Sequence, residues 1–121
     1  MSLAVAISYV KSDGQLIRVG FNLTPSGNYV PGGDTVNLAT ASQDPSFIGS
    51  VAAVESLGAP ISLDIWDAGG GIQSGLFPVL GTNLTNSKMK VITAFNTEAG
   101  AVAYSGLGIV KAIGEAVFNK V

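Results

Sequence analysis

Sixteen glycines and five prolines interrupt this chain at short intervals, and the runs between them are rich in Val, Ile, Leu and Thr. Short β-branched runs bounded by turn residues predict an all-β domain, a compact antiparallel sandwich or barrel. With 121 residues the chain is expected to form a single domain, residues 1–121.

The clearest alternation lies at the N-terminus. Leu3, Val5, Ile7 and Tyr9 alternate with Ala4, Ala6, Ser8 and Val10, and Ile17, Val19, Phe21 and Leu23 alternate with Arg18, Gly20 and Asn22. With Lys11-Ser12-Asp13-Gly14 as the turn, the two runs predict a hairpin. The run Leu3–Val10 is uncharged, β-prone and free of proline, so it is expected to be covered on both sides or paired at its edge.

Further along, Pro25–Asn28 and Pro31–Asp34 read as turns, and Thr35–Ala39 as a short extended segment. Asp44-Pro45 predicts one helical turn, with Asp44 as its N-cap and Gly49 closing it. Val51–Leu57, Ile61–Trp66 and Met89–Phe95 read as strands. Asp67–Leu84 reads as a long Gly-rich apolar loop, which either folds over the core or binds a partner. At the C-terminus Leu107–Ile113 reads as a strand and residues 114–121 as a short helical tail. Ile109, Val110, Ile113 and Val117 also fit one helical face, but Gly106, Gly108 and Gly114 weigh against it.

Composition narrows the function. The chain has neither Cys nor His, which removes disulfides, Cys/His zinc sites and every His-based triad. Charged residues make up 12 % of the chain, against about 25 % in ordinary domains. Mean hydropathy is +0.46. A surface so poor in charge is expected to be buried partly in other subunits, as a symmetric oligomer. The pI near 4.7 argues against nucleic acid as the main partner. No apolar run approaches the ~20 residues of a membrane span. The start, Met1–Ile7, lacks a basic region and reads as mature structure.

The candidate motifs are weak. Gly69–Gly75 lacks the Gly-Lys-Ser/Thr of a phosphate loop. Gly106-Leu107-Gly108-Ile109-Val110-Lys111 carries Lys where a dinucleotide fingerprint needs glycine. Ser8 and Lys11 have Ser–Lys spacing, but on a strand they point to opposite faces. Asp64 and Asp67 are the one close carboxylate pair, and they read as a solvated strand end rather than a glycosidase or calcium site. No catalytic, cofactor-binding or metal-binding residue is assigned.

Trp66 carries more information. Ile61, Leu63 and Ile65 form the core stripe of their strand, and Trp66 falls on the other face with Ser62 and Asp64. An indole on a polar face is a candidate interface anchor. Trp66 is therefore grouped with Leu76, Phe77 and Leu80 of the following stretch as the candidate partner contact.

Several segments, in this order, carry a resemblance. They are the hairpin Leu3–Leu23, Tyr29-Val30-Pro31-Gly32-Gly33-Asp34 with Leu38 after it, Ile61–Trp66, Thr85-Asn86-Ser87-Lys88-Met89 and a hydrophobic C-terminal strand. The chain resembles the small structural proteins of tailed bacteriophages, the capsid decoration or cement class. That resemblance implies a β-rich homotrimer on the outer capsid, bound to the major capsid protein, made in the host cytoplasm and without catalysis. Asp67–Leu84 is longer than the corresponding turn of that class. Two alternatives stand beside it: another virion component of the tail or head–neck, and a small carbohydrate-binding β-sandwich using Trp66 and Asp64.

Overall fold

The computed structural model describes residues 3–47, 49–69, 75–93 and 97–120. Among them are nine strands, two short α-helices and one 3₁₀ turn, so the fold is all-β.

The main sheet is built on the expected hairpin, β1 (Leu3–Asp13) against β2 (Leu16–Pro25). β2 pairs with β9 (Lys111–Asn119) and β9 with β5 (Ser62–Gly69), all antiparallel. The two-residue β4 (Ser42–Gln43) lies parallel to β1 and gives the order β4-β1-β2-β9-β5. The edge of β1 is therefore paired at Ala6 and Ile7, within its uncharged run. A second sheet runs β3 (Asp34–Val36), β7 (Ser87–Thr93), β6 (Gly75–Val79), and β8 (Thr97–Glu98) also pairs with β7. β5 packs beside β6 and β1 beside β3, which brings the two sheets together.

The core obeys the alternation. Val5 and Ile7 of β1, Val19, Phe21 and Leu23 of β2, and Ala112, Ala116 and Phe118 of β9 are buried with Met89 and Val91 of β7. Each large side chain so buried contributes about 2 kcal/mol relative to exposure. Gly114 is required here, because a Cβ on it would stand 2.3 Å from the buried Phe21 ring. The two residues are register partners, so the ring fills the space that the glycine leaves.

One irregularity changes which face a residue joins. The β1–β2 register shifts between Ile7 and Tyr9, so Tyr9 pairs with Gly20 and Val10 with Val19. An extra residue in one strand reverses the facing of every residue beyond it. Val10 thus packs against the core, while Tyr9, expected to share the face of Leu3, Val5 and Ile7, lies on the outer face across Gly20.

Four other expectations are corrected. Val51–Leu57 is not a strand, since Ala52–Glu55 forms α1. Val51, Val54 and Leu57 recur at helical spacing, with Val54 fully buried and the other two against the core. Asp67–Leu84 is not one irregular loop. β5 runs on to Gly69, and β6 lies inside the stretch with Leu76 packed against the core. The C-terminus reverses the expected order, with helical turn α2 at Tyr104–Leu107 and a strand over Lys111–Asn119 in place of a tail. Gly108, at φ 74°, ends α2 in the left-handed conformation. Asp44 does not cap a helix. It closes a simple turn, its carboxylate accepting from the Ser46 N–H at 2.9 Å and the Asn22 amide at 2.7 Å.

The second sheet is tied to the loops by two tyrosines whose rings meet edge to face, with centroids 6.0 Å apart. The Tyr29 hydroxyl donates to Glu98 at 2.6 Å and accepts from the Val91 N–H at 3.2 Å, while Tyr104 donates to the buried Asp34. Burial, then the Glu98 carboxylate, pushes Tyr29 up to about 12. Burial and Asp34 raise Tyr104 further. On the outer face, burial and Glu115 push Tyr9 up to about 12. All three tyrosines of the chain thus hold their protons more tightly when folded than unfolded. A raised folded pKa gives stability that is complete below the unfolded value, about 10, and lost as pH rises through the folded one. Tyrosinate absorbance is expected to stay low in the folded protein well past the ordinary tyrosine range, then rise together with unfolding. A tyrosine ionising in the ordinary range with the fold intact would contradict these contacts.

Candidate functional site

The antiparallel register sets out the outer face of the main sheet row by row. Trp66 of β5 stands opposite Ile113 of β9, which stands opposite Asn22 of β2. In the next row Asp64 faces Glu115, and Glu115 faces Gly20. Because Gly20 has no side chain, the Tyr9 ring lies over it. The Tyr9 hydroxyl reaches across to donate to Glu115. Arg18 joins from β2, its Nη1 3.3 Å from Glu115 and its Nε 3.0 Å from Asp13. These two carboxylates hold the Arg18 guanidinium more firmly protonated than usual. Lys11 Nζ sits 4.8 Å from the Tyr9 ring centroid, which is where Lys11 of the Ser8–Lys11 pair is engaged.

The candidate contact residues divide. Trp66, Phe77 and Leu80 are 46 %, 58 % and 48 % exposed. Trp66 occupies the outer face of β5, as the alternation predicted. Phe77 pairs with Lys90 of β7, and Leu80 comes just after the end of β6. Leu76 turns the other way and packs on the core opposite buried Val91. Ile61, expected in the core stripe, is exposed just ahead of β5.

Asp64 and Asp67 lie on opposite parities of β5, one in register with Glu115 and the other with Ala112. They do not converge on a shared site, and no group of three or more acidic residues among the described residues could hold a metal ion. Residues 70–74, the centre of the Gly-rich motif, lie outside the described residues. A shallow depression of about 320 Å³ is lined by Ile17, Ala53, Ser56, Leu57 and Lys120, and none of the candidate contact residues borders it.

Sequence reasoning missed two features. Glu115 is the hub of the Tyr9–Arg18 network, and it was hidden by reading residues 114–121 as a helical tail. Val30, Val102 and Val110 are also exposed. A signal for two of them was present, because residues 99–110 carry no charge.

No family model, curated protein or solved structure matches the chain.

Proposed function

We propose that the chain is a virion structural protein of the tailed-phage capsid decoration class. In this reading it binds the outer surface of the head through the major capsid protein. It assembles as a homotrimer, works without catalysis or cofactor, and passes from the host cytoplasm to the virion.

The observation that carries the reading is the exposure of large apolar side chains on a β scaffold. Trp66, Phe77 and Leu80 stand in solvent, in a chain whose charged residues make up 12 %. Large apolar groups held in solvent by strands are costly in isolation and favourable at an interface. The order of the Tyr29–Asp34 segment, the Thr85–Met89 segment and the terminal strand supports the same class.

Co-sedimentation with phage heads lacking small outer proteins tests it. The protein is expected to pellet with heads to a fixed stoichiometry and to ignore purified tails. Protein that stays in the supernatant with heads, or pellets with tails, overturns the reading. Trp66→Ala should weaken head binding by about 2 kcal/mol or more, as for an aromatic anchor, with the melting temperature unchanged. A lowered melting temperature with intact binding would assign Trp66 to the protein's own fold.

A further inference from the structure

Most charges on the outer face of the main sheet are settled within the chain. Glu115 has one oxygen on Arg18 and the other on the Tyr9 hydroxyl. Asp13 is held by Arg18, and Asp44 by Asn22 and Ser46. Asp64 is different. It is exposed, stands directly opposite Glu115, and its carboxylate makes no hydrogen bond or ion pair among the described residues. Like charges directly opposite on paired strands destabilise a sheet. The corner formed by β5 and β9 therefore carries an uncompensated carboxylate. Trp66 lies two residues further along the same face of β5, its indole nearly half exposed.

This combination restricts what can cover Trp66. A purely apolar partner would strip water from the Asp64 carboxylate and offer nothing in return, which is costly. A neutral saccharide would stack on the indole but leave the Asp64–Glu115 repulsion in place. A cation answers both features. Arginine does so better than lysine, because its planar guanidinium stacks on an aromatic face and presents a fork of donors to a carboxylate. Glu115 has both oxygens engaged, so Asp64 is the open acceptor.

We propose that the Trp66–Asp64 corner seats an arginine presented by a partner protein, its guanidinium stacked on the Trp66 indole and ion-paired to Asp64. The proposal rests on the reading of Trp66 as a contact residue and names the chemistry of what meets it.

The chain has one tryptophan, so its emission reports this corner alone. The experiment titrates the intact protein, at low salt, with a blocked peptide of alternating Arg and Gly. The same peptide with Gln for Arg, and a neutral oligosaccharide, are titrated in parallel. The Arg peptide is expected to give a saturable change in Trp66 emission that added salt weakens. Asp64→Asn should weaken it about three- to tenfold, in the range of a partly desolvated ion pair with cation–π stacking. The proposal is overturned by no response to the Arg peptide, an equal response to the Gln peptide, unchanged affinity in Asp64→Asn, or saturation by the oligosaccharide instead. Peptide binding without head binding would sink the decoration reading and leave this site standing. Head binding that Asp64→Asn does not weaken would do the reverse.

Discussion

Val5→Lys is expected to remove most or all of the stability of the fold. Val5 is buried near the start of β1, in register with buried Leu23 of β2 and between the inward-facing Leu3 and Ile7. An ammonium group placed there would lose its water among aliphatic side chains. The buried carboxylate of the core, Asp34, is already engaged by Tyr104. An unpaired buried charge costs about 4 kcal/mol or more, against a total of about 5–15 kcal/mol for a typical domain. The midpoint of chemical denaturation measures the loss. Ala4→Lys is the control, because Ala4 is exposed on the other face of the same strand, where a substitution changes stability by about 0.5 kcal/mol or less. Equal stability of Val5→Lys and wild type would mean that β1 does not bury this face.

Gly114→Val should cost about 3 kcal/mol, at the upper end of overpacking effects. The new Cβ would stand 2.3 Å from the Phe21 ring and 3.0 Å from the Asp64 carbonyl oxygen. Phe21 is fully buried, so its ring has no solvent to swing into. Combining Gly114→Val with Phe21→Leu should recover part of the loss, because contacting residues couple by about 0.5–3 kcal/mol. Strictly additive losses would show that the ring is not what excludes a side chain at 114. Gly20 has the same relation to Tyr9 but a milder expectation, since Tyr9 is only partly buried at the outer face.

The range of each interaction decided whether the sequence displayed it. The β1–β2 hairpin was legible because its alternation and its turn are local. Trp66 was legible for the same reason, since strand parity alone puts it opposite Leu63 and Ile65. The facing of Tyr9 was not, because one bulge residue reverses parity and is fixed by pairing with Gly20. β9 was obscured by its own packing. Its core-facing residues Ala112, Gly114 and Ala116 are small, Gly114 because the Phe21 ring fills the space over it, and small residues give weak alternation. In α1 the short run Val51–Leu57 has both periods in it, and burial of Val54 decides for the helix. In the candidate site, Asp64 and Trp66 could be placed from sequence. Glu115 meets Arg18 and Tyr9 only because β9 pairs with β2, from which it is distant in the chain.

The emission of Trp66 on adding phage heads tests the central claim most directly. Alone, the indole is half exposed, and its emission should be that of a wetted tryptophan open to a soluble quencher. With saturating heads, the expected result is a shift of emission to shorter wavelength and protection from the quencher, since an anchor residue is desolvated on docking. Unchanged emission and unchanged quenching, with heads in excess over the protein, would contradict docking on heads through Trp66.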